Sequence, residues 1–398
     1  MKYIVILGDG MADVPSKRLG GKTPLDVAAK PNIDTICKMG QIGMVKTIPD
    51  DFSPGSDVAN LSVMGYDPYL YYTGRSPLEA VSMGVDVLPT DTTFRTNLVT
   101  LSDDPIYEDK KMIDYSSGEI TTAESRELMK TIDEKLSCET FKFFGGISYR
   151  HLLLWHDKIN NNIKLTPPHD ISGKIIGNYL PDNNIMLDLM KKSYDILKEH
   201  PINKSRISRG LNPANSLWMW GQGVKPALSP FKEKYGIKGA VISAVDLVKG
   251  IGICADMESI DVEGATGNVD SNFDGKAQAA IETLKTNDFV YIHMEAPDES
   301  GHHFDGKAKV LSIELIDKKV VGPIYEALKS SGEDFSFMIL PDHPTPIDIG
   351  THTSDPVPYV IYRSNNPSNC GLEYNEANGK SGPFIEKGCN LMDIFIKG

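Results

Sequence analysis

Hydrophobic positions along the chain fall into two periods. Short unbroken apolar runs, Tyr3–Leu7, Ala240–Ser243, Phe289–His293 and Phe335–Leu340, have the length and composition of buried strands. Parts of 26–39, together with Ile185–Leu197, Asp246–Ile251, Gly275–Leu284 and Ile313–Leu328, space their apolar residues as helices do, the last as one long amphipathic helix. Strands and helices taken in turn predict an α/β domain with a mostly parallel sheet and helices on both faces. Between about 86 and 166 the texture differs. Short alternating segments, Thr93–Leu101, Thr140–Phe144 and Tyr149–Trp155, flank one helical stretch, Thr121–Leu136. This predicts a smaller inserted α+β domain over 86–174 within a domain made of 1–85 and 175–398.

Charge and cysteine content narrow the partners. A net charge of -13 over 398 residues argues against nucleic acid and against an anionic membrane surface, yet leaves room for a small phosphorylated acid held by a few local arginines. The five cysteines, Cys37, Cys138, Cys254, Cys370 and Cys389, have no C-x-x-C spacing, a reducing-compartment pattern. No apolar run approaches bilayer length and Met1 leads directly into a strand, so a cytoplasmic protein is expected. Oligomeric state stays open, with a homo-oligomer allowed.

Several strands end in ligand chemistry. Tyr3–Leu7 runs into Gly8-Asp9-Gly10, Phe289–His293 into Glu295-Ala296-Pro297-Asp298 with His302 beyond, and Phe335–Leu340 into Asp342-His343, followed by His352 in GTHTSDPVP. Parallel strands open their carboxyl ends on one edge, where ligands bind. Asp9, Asp298, His302, Asp342, His343 and His352 are enough donors for two divalent ions sharing an oxygen. Taken alone, Asp9 is as well placed to cap a helix as to hold an ion. Donors of these types, without cysteine, suit manganese, magnesium, zinc or cobalt. His293 and His303 stand close enough to support ligands, whereas His156, His169 and His200 read as structural or surface residues.

Two further motifs carry candidate chemistry. In PGSDVANLS, Ser56 stands where a helix begins, and by residue chemistry alone a cap is favoured over a nucleophile at a helix amino end. Arg75 lies in a Gly/Pro loop and Arg95 in a strand-like run, either on the solvent face or turned in to grip an anion. Gly20-Gly21-Lys22-Thr23 lacks the spacing of a phosphate loop.

Taken in order, GDGMAD, PGSDVANLSVMGYDP, YYTGRSPLEA, FRTNLVT, SYRHLL, APDESGH, PDH and GTHTSDPVP resemble the archaeal-type cofactor-independent phosphoglycerate mutases of the alkaline phosphatase superfamily. The resemblance runs from the first strand to about Tyr362. It implies an alkaline-phosphatase-like α/β fold and interconversion of 3-phosphoglycerate and 2-phosphoglycerate in glycolysis and gluconeogenesis, without 2,3-bisphosphoglycerate. It also implies Ser56 as the nucleophile that becomes phosphorylated, reversing the preference for a cap. Asp9, Ser56, Asp342 and His343 would hold one divalent ion, and Asp298, His302 and His352 the other, with manganese first among the metals. Arg75, Arg95, Arg150 and His151 would bind substrate, with Arg209 and Asn215 as weaker matches, and the inserted domain would close over glycerate. A metal-dependent phosphomonoesterase and a homoserine-kinase-like phosphotransferase are the rival enzymes, and a metal-stabilised binding protein is the rival without catalysis.

Overall fold

The apolar runs fold as strands because each is buried on both faces. In Lys2–Gly8 every side chain from Ile4 to Leu7 is removed from water, and the same holds along Phe289–Met294 and Phe335–Leu340. Each such aliphatic side chain contributes about 1.5–3 kcal/mol of burial. The computed structural model describes residues 1–156 and 163–398. The chain folds into two compact units, Met1–Tyr72 with Leu228–Gly398, and Thr73–Ala227.

The first unit is built on an eight-stranded sheet. From edge to edge its strands are Phe384–Ile385, Gln41–Val45, Val357–Arg363, Phe335–Leu340, Lys2–Gly8, Phe289–Met294, Gly239–Ile242 and Glu258–Ile260. Val357–Arg363 runs against both of its neighbours, and every other pairing is parallel. Ile4, Ile6, Ile292 and Ile339 pack with Ile33, Ala277, Ile313 and Ile324 from helices on one face. On the other face Tyr3 meets Phe395, and Val241 fits against Gly252. The expected α/β architecture, mostly parallel and covered on both sides, is the observed one.

The long helix expected over Ile313–Leu328 is broken in register. It consists of Gly306–Ile316 and Gly322–Ser331 joined by a π-helical turn, Asp317–Val321. The extra residue in that turn aims Asp317 at the start of the Pro31–Met39 helix, whose own N-cap residue supplies no side-chain bond. The Asp317 carboxylate accepts from Ile33 N at 2.7 Å and from Asn32 Nδ2 at 2.8 Å, so one helix caps another.

In the second unit Thr92–Leu101 is the central strand. It pairs antiparallel with Arg150–Trp155 and Ser216–Gly223 and, at its end, with Met112–Asp114; Phe141–Ile147 extends the sheet beyond Arg150–Trp155. Helices Thr122–Leu136 and Asn184–Leu197 bury Leu128, Met129, Met186 and Met190 in its core with Trp155 and Trp218. The observed bounds, 73–227, correct the expected 86–174. Ser216–Gly223 is a strand of this sheet, and a strand cannot be assigned apart from its ladder, so residues 175–227 go with it.

Behind the sheet edge of the first unit, Lys309 is fully buried and donates to Asp13 Oδ2 and Thr345 O, both at 2.8 Å, and to Ala12 O at 3.0 Å. It ties the loops that follow two neighbouring strands. Removing one partner of a buried pair strands the other, so Lys309→Met is expected to cost about 3–5 kcal/mol. The loss should appear as a lower urea midpoint at unchanged slope, whereas Lys38→Met, at the exposed Lys38–Glu373 pair, should barely move it.

Candidate metal centre

The carboxyl edge of the first unit's sheet collects the strand ends. Asp9 follows Lys2–Gly8, Asp342 and His343 follow Phe335–Leu340, and Asp298 and His302 lie on the Ala296–His302 helix that begins just after Phe289–Met294. Asp298 is therefore delivered by a helix's first turn, not directly by a strand, and His302, one turn later, shares its face. Donor atoms of Asp9, Asp342 and His343 all lie within 4.8 Å of one another, as do those of Asp298, His343 and His352. His302 Nε2 joins the second group, 2.9 Å from His352 Nε2 and 3.2 Å from Asp298 Oδ2. All six expected donors thus meet, with His343 between the two sets.

Backbone conformation makes the approach close. Gly10 has φ +60°, and a Cβ there would fall 2.7 Å from Asp298 Cα. Only glycine fits, which accounts for the second glycine of GDGMAD. Gly10 N donates to Asp342 Oδ1 at 3.0 Å, and Asn60 Nδ2 donates to Asp342 Oδ2 at 2.9 Å.

Ser56 is the first residue of the Ser56–Val63 helix, one place inside the cap position, which Gly55 holds. Its hydroxyl makes no capping bond. Ser56 Oγ lies 3.0 Å from His343 Nε2 and 3.4 Å from Asp9 Oδ2.

The surrounding side chains orient the donors. The Gly350 carbonyl, 3.0 Å from His302 Nδ1, can only accept, so Nδ1 carries a proton and Nε2 is the nitrogen turned toward the cluster. Thr345 Oγ1 donates to Asp298 Oδ1 and lies 3.3 Å from His343 Nδ1. His293 Nε2 lies 2.9 Å from Asp9 Oδ2, in contact with one of the expected donors. Asn60, Tyr291 and Thr345 were not singled out from sequence. Asn60 Nδ2 donates to Ser56 O at 2.8 Å, and Tyr291 Oη donates to Asn60 Oδ1 at 2.7 Å. The available signals were one helical turn between Ser56 and Asn60, and the alternation that puts Tyr291 on the His293 face of its strand.

Electrostatics show what the cluster lacks. Burial, followed by repulsion from Asp342, Asp298 and Glu295, pushes the Asp9 carboxyl well above its usual range. Burial would also raise Asp298, but hydrogen bonds from His302 and His352 outweigh it and hold the carboxyl below its ordinary value. The bond to Asp298 lifts His302 to about 9, while burial depresses His343. Asp9 Oδ1 is buried with no hydrogen-bond partner among the described residues. An orphaned carboxylate oxygen among acids and imidazoles, with no thiolate present, fits divalent cations.

The other expected residues lie in the second unit. Arg75 Nε donates to Glu79 Oε1 at 2.9 Å, Arg95 Nε is 3.1 Å from Glu79 Oε2, and Arg150 stacks over Tyr149. His151 is buried, accepts from Gly146 N at 3.0 Å, and is pushed down to about 3 by desolvation. Adjacent strand residues point to opposite faces, so His151 does not share Arg150's face. Arg209 pairs with Glu124, and the Asn215 amide is consumed by the Leu101 N and O atoms. His151 Nε2 is buried with no hydrogen-bond partner among the described residues.

An α/β protein with clustered carboxylates and imidazoles beside a helix-end serine is the class that this fold and edge define. Residues 37–203 match the profile described as 2,3-bisphosphoglycerate-independent phosphoglycerate mutase. A protein of that name from Methanosarcina barkeri is 50% identical over the full length of both chains. Among solved structures, a Pyrococcus horikoshii protein superposes with TM-score 0.85 at 29% identity, covering 100% of this chain and 96% of that one. A cofactor-independent phosphoglycerate mutase from Thermoplasma acidophilum superposes with TM-score 0.67 at 27% identity, covering 100% and 99%. The chain belongs to the 2,3-bisphosphoglycerate-independent phosphoglycerate mutase family.

Metal-stripped protein is expected to gain thermal stability on addition of Mn²⁺, by about 2.7 kcal/mol at a hundredfold excess over Kd. Asp342→Asn should lose most of that gain in a calorimetric melt, and an unchanged melting temperature with manganese, magnesium, zinc and cobalt alike would show that the donors bind no ion.

Proposed function

We propose that the protein interconverts 3-phosphoglycerate and 2-phosphoglycerate without bisphosphoglycerate, through phosphorylation of Ser56. One observation carries the mechanism: the Ser56 hydroxyl stands at a helix amino end, turned away from capping and toward His343 and Asp9. Family membership supplies the substrate, because the relatives are named for this mutase.

Two divalent cations, manganese foremost, are assigned to Asp9, Ser56, Asp342 and His343 for one, and Asp298, His302 and His352 for the other. When bound, they supply Lewis-acid charge for the phosphoryl oxygens. The protein's own part is positioning. Free N–H groups and the dipole of the Ser56–Val63 helix favour a phosphoryl group at its amino end. The Asn60 bonds to Ser56 O and Asp342 Oδ2 fix the serine relative to the acids.

Ser56 Oγ attacks phosphorus, the ester P–O bond breaks, and glycerate leaves while the serine carries the phosphoryl group. The neighbouring hydroxyl of the same glycerate then attacks phosphorus and frees Ser56. Transfer of this kind is catalysed chiefly by placement and charge. Glycerate must stay held between the two steps and water must be kept away, and we assign the holding of glycerate to Arg75, Arg95 and Arg150. No helix among the described residues is long and apolar enough to cross a membrane.

With Mn²⁺, 3-phosphoglycerate and no bisphosphoglycerate, phosphorus NMR should show 2-phosphoglycerate without free phosphate. Ser56→Ala should lower the rate by about 10³-fold or more while leaving the melting profile intact. Free phosphate alone would point to a phosphomonoesterase, neither product to a different acceptor alcohol, and an active Ser56→Ala would end the phosphoserine mechanism.

A further inference from the structure

The arginines of the second unit are arranged by an acid that the mechanism above does not use. Glu79, on the Ser76–Ser82 helix, divides its carboxylate: Oε1 accepts from Arg75 Nε at 2.9 Å, and Oε2 lies 3.1 Å from Arg95 Nε. Its side chain is 20% exposed and that of Arg95 14%, so this is a half-buried bridge and not a loose surface pair. Arg95 is held on a second side. Its guanidinium lies over the Trp220 ring, Cζ 4.3 Å from the centroid. The next residue, Gly221, has φ +59°, and a Cβ there would come within 3.3 Å of Arg95 Cδ. The glycine turn leaves room for the arginine stem beside the indole.

These restraints have a directional result. A guanidinium can bind an oxyanion through its Nε side or end-on through its two terminal nitrogens. Glu79 takes the Nε of Arg95 and Trp220 takes a face, which among the described residues leaves the end-on edge for a ligand. The charge balance favours an anion there. Arg150 is near enough to Arg95 that, with burial as the larger cause and Arg75 also contributing, it lowers the proton affinity of Arg95. Arg150 itself makes no ion pair among the described residues and only stacks on Tyr149. Around Arg95 and Arg150, positive charge therefore exceeds negative charge.

We propose that Glu79 is a positioning residue, a built-in counter-anion that clamps Arg75 and Arg95 by their Nε groups so that Arg95 presents its end-on edge to an oxyanion group of the substrate. The nature of that substrate, a phosphorylated hydroxy acid, rests on the function proposed above; the presence of an oxyanion subsite does not. The bland alternative is that Glu79 only braces the start of its helix, as an i,i+4 partner of Arg75. That role would affect stability and leave ligand affinity alone.

The test compares wild type with Glu79→Gln, which keeps one acceptor oxygen, and Glu79→Ala, which keeps none. KM for 3-phosphoglycerate should rise several-fold in the first and about 10- to 100-fold in the second, with kcat changing less than KM. In parallel, calorimetric titrations with inorganic phosphate and with D-glycerate identify which oxyanion the subsite reads, and the affected ligand should weaken in the same order. Arg95→Lys, which keeps the charge but loses both the Nε tether and the end-on edge, should raise KM at least as much as Glu79→Ala does, and Glu79→Asp, which keeps the charge but shortens its reach to the two Nε groups, stands in if the other Glu79 variants do not fold. Unchanged KM and unchanged anion affinities would leave Glu79 a helix brace and overturn the proposal. Tighter anion binding in the variants would also overturn it, by showing that Glu79 competes with the ligand. If wild type fails to turn over 3-phosphoglycerate, the substrate assignment fails, while the phosphate and glycerate titrations still decide the role of Glu79.

Discussion

A carboxylate taken out of water must find positive charge or hydrogen-bond donors, and at one sheet edge three are taken out together. Asp9, Asp298 and Asp342 are 2%, 5% and 0% exposed. Much of the local architecture answers their demand. Gly10 gives up a side chain so that its amide can reach Asp342, Asn60 spans from Ser56 to the same acid, and Thr345 donates to Asp298. What those donors leave unmet, an orphaned oxygen on Asp9 with imidazole nitrogens turned inward, is an opening whose chemistry suits a divalent cation. The chemistry assigned to the protein follows from that deficit. A site built to concentrate positive charge on oxygen also concentrates it on a phosphoryl group.

The same constraint explains what could be read from sequence. Apolar runs ending in Asp9 and in Asp342-His343 were legible because a parallel sheet has only one edge at which its strands' carboxyl ends open, and both facts are local. Ser56 was not legible on its own. Cap and nucleophile differ by one position at the helix start, and Gly55 as the cap residue became visible only once backbone angles were known. Asn60, Tyr291 and Thr345 escaped because each matters through a partner remote in the chain: Tyr291 reaches Asn60 across 231 residues and Thr345 reaches Asp298 across 47.

The domain bounds failed for a related reason. The run Ser216–Trp220 has the apolar and aromatic composition of a strand, but nothing near it in sequence says that its ladder partner is Thr92–Leu101. Strand identity is local, whereas sheet membership is not. Likewise the π-helical turn at Asp317–Val321 leaves the apolar spacing of 313–328 close to that of a plain helix, and only the need to reach Ile33 N reveals its purpose. The substrate residues divided the same way. Arg75 and Arg95 meet at Glu79, whereas Asn215, the weaker match in sequence, bonds its amide to Leu101.

The central position of Lys2–Gly8 bears on how the protein is made. Its neighbours on either side are Phe289–Met294 and Phe335–Leu340. A ribosome adding about 5–20 residues per second needs roughly 15–60 s to produce them. Throughout that interval the first apolar strand is outside the tunnel with its ladder partners not yet synthesised. The unit 73–227 is contiguous and can complete its own sheet in the meantime. Nascent chains of this protein should therefore carry a finished middle and an unsatisfied beginning, which makes the amino-terminal strand the segment most in need of chaperone protection during synthesis.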